Sequence, residues 1–260
     1  MIKKIIENRT NDVKITSVST IIEILKEINF APVFRGHSDE SYELLPSIAR
    51  TQSVFGFFKN YDPISLEVEK NFLHRFKRHA YTIFNRKISD WEALFLARHH
   101  ELPVRLLDWT TSPLVALYWA CTSKNNYDKD GALIMLKNET DRSNIYLDVF
   151  DDSVAPFSVE KVELIFSFFN SPRITAQSGL FSIHPYPWEN LFDLNKDEHK
   201  VNGIPKGEKW LIPKNSKSKI IRELYELQIN TRSIYPDLDG IAKTILENEL
   251  VFRNHERIPN

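Results

Sequence analysis

Two dense motifs constrain this chain most, Val33-Phe34-Arg35-Gly36 and Arg105-Leu106-Leu107-Asp108-Trp109-Thr110-Thr111-Ser112-Pro113. Each places polar groups inside an otherwise core-forming apolar run. Charge in such a run must be paired or used, because an isolated buried ion costs far more than the surrounding apolar contacts return. In the first motif an arginine follows a short strand-like run and precedes a glycine, which sets a large cation beside backbone that a ligand can approach closely. In the second, a strand over 104–107 runs into Asp108, a hydroxyl cluster and Pro113, the pattern of a strand feeding straight into a helix N-terminus. Such a junction offers free N–H donors to an anion.

The chain has 260 residues, 42% hydrophobic and 12% aromatic, enough for one large core. We read residues 1–260 as a single domain, with an N-terminal helix at about 16–29 and a core at about 30–255. The balance of 34 basic against 35 acidic residues argues against a strongly nucleic-acid-coated surface, while leaving room for a local basic patch. A single cysteine, Cys121, excludes an intramolecular disulfide and any cysteine-rich zinc site, so no metal is expected. The N-terminal segment lacks the sustained apolar core of a signal peptide, and no stretch approaches the ~20 apolar residues of a membrane span. These features predict a cytoplasmic protein with no membrane partner. Neither GxGxxG nor GxxxxGK[ST] occurs, so the dinucleotide fingerprint and the P-loop are both excluded.

Val18, Ile21, Ile22, Leu25 and Ile28 stand at helical spacing, with Thr20 and Glu23 spaced like a capping box. The Arg35 strand follows. Residues 63–84 predict an amphipathic helix, with Leu66, Phe72, Leu73, Phe76 and Ala80 on one face and Lys70, Arg75, Lys77 and Arg78 elsewhere. Ser89 and Glu92 cap a shorter helix ending near His99-His100, ahead of Pro103. A helix over 113–122 and a strand over Gly131–Leu136 come next. A helix around 158–169, a strand around 179–184, a short strand at 210–212 and helices near 216–228 and 238–248 complete the reading. The Lys- and Asn-rich stretch 195–219 reads as a long solvent loop. Without regular βαβ repetition the class is α+β, with mixed or antiparallel sheets and surrounding helices.

Several blocks resemble the FRG domain, a bacterial family. They are Phe34-Arg35-Gly36-His37-Ser38-Asp39 with Leu45-Pro46-Ser47, then Ala97-Arg98-His99-His100 through Leu117-Tyr118-Trp119-Ala120, Gln177-Ser178-Gly179-Leu180-Phe181, and Tyr235-Pro236-Asp237-Leu238-Asp239-Gly240. The order of a strand arginine, a strand ending in Thr110-Thr111-Ser112 and a strand bearing Gln177 also resembles the arginine, hydroxyl and glutamate layout of the ADP-ribosyltransferase fold. That resemblance implies an ADP-ribosyltransferase-like protein that uses NAD. It would act as a toxin or anti-phage effector on RNA, DNA or protein, and an antitoxin or chaperone would neutralise it. Arg35, Thr110 and Gln177 would be catalytic. Arg35, Gly36, His99, Arg105, Asp108, Thr111 and Ser112 would bind the cofactor.

The chemistry suits these residue types. Nicotinamide in NAD is already a cationic leaving group, so the reaction depends on positioning and electrostatic stabilisation more than on a carboxylate pair. The planar fork of Arg35 can hold a diphosphate in bidentate fashion, and the hydroxyls can bond ribose or cap the following helix. The chain departs from the pattern at Gln177, an amide that cannot act as a base. Either activation of the acceptor is dispensable, or Asp108, Asp237 or Asp239 supplies the charge. Each residue also has a plainer reading. Arg35 and Asp108 can be an ion pair between strands, Thr111 or Ser112 a helix cap, and Trp109 and Trp119 core. His99 and His100, adjacent on a helix, would diverge by about 100° and share no metal. From another class, a nucleic-acid-directed hydrolase using His99, Arg105 and Asp108 is open, with a phosphate track along the basic helix near 70–87. So is a non-catalytic nucleotide-binding module.

Overall fold

The computed structural model describes residues 13–29, 31–50, 66–136, 147, 149–150, 154–167, 171–191 and 207–255. Its frame is a six-stranded sheet in which every pairing is antiparallel. The strands are β1 (Val33–His37), β2 (Leu106–Thr110), β3 (Gly131–Leu136), β4 (Glu163–Ile165), β5 (Gly179–Ile183) and β6 (Gly207–Ile212), in the order β4-β5-β2-β1-β3-β6. The helices are α1 (Val18–Lys26), α2 (Leu66–Phe84), α3 (Asp90–His99), α4 (Pro113–Cys121), α5 (Pro172–Ala176), α6 (Lys214–Glu226), α7 (Thr231–Ile234) and α8 (Leu238–His255). The α+β class and the antiparallel sheet agree with the sequence reading.

The central pairing governs the whole sheet. Strand β1 pairs with β3 at five positions and β2 with β5 at five, but β1 and β2 meet at one, Phe34 opposite Thr110. The sheet is therefore two three-stranded halves joined by a single bridge, with a seam beyond it. Side chains opposite one another in a ladder share a face. On one face Phe34, Leu133, Met135 and Trp210 pack against α1, α4 and α6, while Leu106, Phe181 and Ile183 pack against α2 and α3. On the other face Val33, Leu107, Trp109, Ile134 and Leu180 are covered by Leu44 and Leu191 from loops.

Local signals account for several of these elements. Ser89 caps α3 and Ser112 caps α4, with Pro113 just inside, as expected. The apolar run Gly131–Leu136 is buried at every position, as befits an inner strand. Other expectations require correction. Ser17, not Thr20, caps α1, and Ile24 is buried where Ile22 is 45% exposed, because the helix rolls to meet α6. Strand β2 runs over 106–110 instead of 104–107; Asp108 can sit within it because two arginines neutralise its charge. The helix expected around 158–169 is absent from its described part, 158–167, which holds strand β4 at Glu163–Ile165 between irregular residues, since a short apolar run satisfies either period and the edge of β5 supplies the partner. Gln177 caps the end of α5 and precedes β5 instead of lying on the strand. Residues 207–219 of the expected loop form β6 and the start of α6; residues 192–206 lie outside the described set.

Gly36 lines the larger cleft and is also required by the close approach of a helix. A β-carbon there would lie 1.9 Å from the Ala116 carbonyl and 2.8 Å from the Ala120 amide of α4. Backbone cannot yield as a side chain can, so Gly36→Ala is expected to destabilise the protein by about 3 kcal/mol, read as the shift in a urea unfolding curve at unchanged slope.

Candidate functional site

Two clefts flank the seam between the half-sheets. The larger, about 460 Å³, is walled by Arg35, Gly36, His37, Tyr42, Arg50 and Trp119. The smaller, about 120 Å³, is walled by Arg98, His99, Glu101, Asp108, Arg173 and Gln177, with Phe95 and Phe181 behind them. Arg35 and Asp108 touch, so their contact is the partition between the two.

Arg35 lies on the loop-covered face but reaches into the seam, where its Nη1 donates to the Asp108 carbonyl at 2.6 Å and stands 3.6 Å from Oδ2. The Asp108 carboxylate is held elsewhere. Arg98 grips it with Nε at 3.0 Å from Oδ1 and Nη2 at 2.6 Å from Oδ2, a two-pronged pair that fixes geometry as well as charge. Burial tends to raise the Asp108 pKa, but the charges of Arg98 and Arg35 and the Arg98 hydrogen bonds prevail and hold it below the ordinary carboxylate value. Burial, with repulsion from Arg50 and Arg98, draws the Arg35 pKa down to about 10 despite Asp108, which still leaves it cationic near neutrality. Arg50 is lowered chiefly by desolvation and then by Arg98. Arg35 and Arg98 contact the Asp108 carboxylate, Arg50 feels its charge, and the Arg35 side chain keeps 15% of its surface exposed.

Neutral imidazoles complete the loop-side wall. Burial, then the positive charge of Arg35, pushes the pKa of both His37 and His184 down to about 3. His37 Nε2 can therefore accept from Arg35 Nε at 3.0 Å, which puts the ring proton on Nδ1. That Nδ1 lies toward the Tyr42 backbone but makes no hydrogen bond of ordinary geometry. Trp109 Nε1 donates to Ser182 Oγ at 2.8 Å, and Ser182 is 2.8 Å from His184 Nε2, so His184 also turns an unpartnered Nδ1 into the interior.

The structure disperses some of the expected constellation. Arg35 and Gln177 line neighbouring clefts instead of one shared pocket. The Thr110 hydroxyl is fully buried, donating to the Gln177 carbonyl at 2.7 Å and accepting from the Ser112 amide at 2.9 Å, so it positions both neighbours and faces no cavity. Gln177 Nε2 donates to the Ile234 carbonyl at 3.3 Å, leaving Oε1 for another partner. Thr111 donates its amide to the Ser178 carbonyl, and Ser112 is the α4 cap. Arg105 reaches neither cleft. Its Nη2 and Nε lie 2.8 Å from Glu69 Oε2, both side chains only 2% exposed, and its guanidinium lies over the Phe157 ring. His99 does line the small cleft, and its pKa is lowered by burial and then by His100. The two rings meet edge to face at 5.1 Å because His100 caps the helix end and is no longer helical. Asp237 accepts from the Gly240 amide and serves as a turn at the start of α8. On the basic helix, Lys77 and Arg86 are paired to Asp90 and Glu92, fastening α2 to α3.

Arg50, Arg98, Glu101 and Arg173 were not legible as site residues. Only Arg98 carried a signal, an arginine three residues after Phe95 on the sheet-facing side of its helix. Trp119, read as core, lines the larger cleft, with its Nε1 3.3 Å from the Tyr235 hydroxyl. Among the described residues, no group of three or more His, Cys, Asp or Glu side chains is placed to hold a metal, and no helix is long and apolar enough to cross a membrane.

An antiparallel α+β domain with an arginine-walled cleft at a split sheet is the class that geometry defines. Residues 31–129 match the model of the FRG domain family. The match takes in Arg35, Arg98, Asp108 and the β2–α4 junction and stops short of Gln177. No curated protein and no solved structure matches the chain.

Two outcomes are expected. Arg105→Ala strands a buried carboxylate and should cost roughly 3–5 kcal/mol of stability, measured by urea unfolding. His37 and His184 stay neutral when folded above a pH of about 3 but take up a second ring proton when unfolded below about 6.5. Their lowered pKa values therefore make stability fall as pH drops through 6.5 toward 4, above the carboxylate range. Thermal unfolding across that range should show the slope, and His184→Asn should make it shallower.

Proposed function

We propose that the chain is an NAD-dependent ADP-ribosyltransferase-like enzyme, a cytoplasmic toxin or antiviral effector that modifies a macromolecule and is held in check by an antitoxin or chaperone. The observation that carries this reading is the charge at the seam. Arg98 takes both prongs of the Asp108 carboxylate, so Arg35, 3.6 Å from Oδ2, is held by it only at Nη1 and turns the rest of its guanidinium edge to the larger cleft. A guanidinium beside Arg50, with the Tyr42 and Trp119 rings in the same wall, suits a diphosphate joined to flat heterocycles. Strand adjacency supports it as well. Arg35 on β1, Thr110 on β2 and Gln177 immediately before β5 come from three neighbouring strands.

On this reading the residues fit NAD as follows. Arg35 and Arg50 hold the diphosphate in the larger cleft, and the nicotinamide ribose crosses the Arg35–Asp108 contact into the smaller one, where Gln177 Oε1, left open by the bond from Nε2 to Ile234, accepts from a ribose hydroxyl. When bound, NAD supplies a glycosidic bond to a leaving group that is already cationic. Thr110 acts as a positioning residue that ties Gln177 to the α4 cap. The hydrolase alternative is weakened because Arg105 is absorbed by Glu69 and does not join His99 and Asp108.

The test is incubation of the full chain with labelled NAD and cell extract, followed by separate digestion with nuclease and protease. Label in a macromolecule is expected, and the digestion that releases it names the acceptor class. NAD binding without turnover would point to a nucleotide-binding module, and neither binding nor turnover would defeat the reading. Arg35→Ala is expected to lower transfer by at least ~100-fold, and Arg35→Lys to fail similarly, because a point charge does not reproduce the fork. Gln177→Ala should reduce nicotinamide release, whereas Gln177→Glu should keep or raise it. A sharply lowered Tm in Arg35→Ala, with wild-type activity in the folded fraction, would make Arg35 a structural pair member only.

A further inference from the structure

The small cleft contains a carboxylate with no role so far. Helix α3 ends at His99, and beyond its cap Glu101 adopts the left-handed region at φ 62°, while the Leu102 amide returns to the Ala97 carbonyl at 2.9 Å. Glycine is the usual residue in such a closing turn. Asn85 and Gln228 adopt the same conformation after α2 and α6, so the turn is common in this chain of seven glycines and is not itself a sign of function. What distinguishes Glu101 is its place in the wall shared by Asp108, Gln177, Arg98, His99 and Arg173.

The two carboxylates of that wall differ in what holds them. Asp108 is gripped by both prongs of Arg98 and flanked by Arg35. Among the described residues the Glu101 carboxylate forms no ion pair, and it acts on the Arg98 guanidinium through charge alone. Gln177 cannot take up a proton, Asp237 is committed to its turn, and neither Asp237 nor Asp239 lines this cleft. The small cleft also adjoins Arg35 through the Asp108 contact, so a reacting group there would lie next to the diphosphate end of the larger cleft.

We propose that Glu101 is the catalytic base of the transferase, a role that rests on the reading advanced above. The acceptor's oxygen or nitrogen bonds to the ribose C1′ as the C–N bond to nicotinamide breaks. The electron pair of that bond leaves with nicotinamide, and the acceptor's proton passes to a Glu101 carboxylate oxygen. The departure of the third-position residue from glutamate is thereby met from the end of α3. The acceptor is a group that must lose a proton to react, such as a hydroxyl or an amide.

The test uses the full chain and labelled NAD, with Glu101→Gln, Glu101→Gly and Gln228→Gly. In Glu101→Gln, transfer should fall roughly 100-fold while calorimetric NAD affinity is unchanged. Glu101→Gly relieves the left-handed backbone, so Tm should rise by roughly 2 °C while transfer falls by the same factor. A purely structural role would move both downward. Gln228→Gly should raise Tm similarly and leave transfer at the wild-type rate. Wild-type transfer in both Glu101 variants overturns the assignment and leaves the transferase reading standing. A wild-type chain that neither binds NAD nor labels anything removes that reading and the role of Glu101 with it.

Discussion

The single bridge between Phe34 and Thr110 is the constraint on which the rest of this structure depends. A continuous ladder between β1 and β2 would bury the central strands and close the sheet. With one paired position, the backbone of β2 beyond the bridge lacks a strand neighbour on that side and needs polar partners. Arg35 supplies one by donating to the Asp108 carbonyl, and the clefts on either side are the space that the missing ladder leaves.

An opening of this kind persists only if its walls are held from outside. Helix α4 is drawn onto Gly36 until its backbone touches the strand, which fixes the β1 side. The Nζ of Lys217 donates to the Ser38 and Asn126 carbonyls at 2.8 Å each and anchors the chain where it leaves β1. On the β2 side, Glu69 binds both the amide and the guanidinium of Arg105 just before the strand begins. A buried pair like this adds little net stability, but removing either partner is costly, so it holds β2 in position more than it strengthens the fold. Charge is distributed on the same plan. Burial keeps the two histidines neutral, so they do not add to the positive charge of Arg35, Arg50 and Arg98.

Much of the local architecture was legible in the sequence because its causes are local. Ser89 and Ser112 cap helices whose first amides lie three residues away, Pro113 presets the helical φ, and Gly131–Leu136 is apolar throughout. Where the period was ambiguous the sequence misled. The segment around 158–169 carries apolar residues at helical spacing, yet Glu163–Ile165 is a strand because β5 offers an edge and local propensity is too weak to resist it. Short helices such as Thr231–Ile234 escaped notice because four residues show no period.

The candidate site divides along the same line. That Arg35 and Asp108 lie in apolar runs and must be paired or used is written in the sequence, since burying charge there has a cost whatever the fold. Which arginine pairs with which carboxylate is not. Arg98 took Asp108, Glu69 took Arg105, and Gly36 admitted a helix. Each of those outcomes depends on side chains brought together from separate elements, at distances only the packed sheet and helices set. Composition and spacing determined the inner strands in outline, the Ser89 and Ser112 caps and the need for charge compensation. The tertiary structure alone decided where compensation ends and open cationic surface begins, because that is a matter of angstroms between groups far apart in the chain.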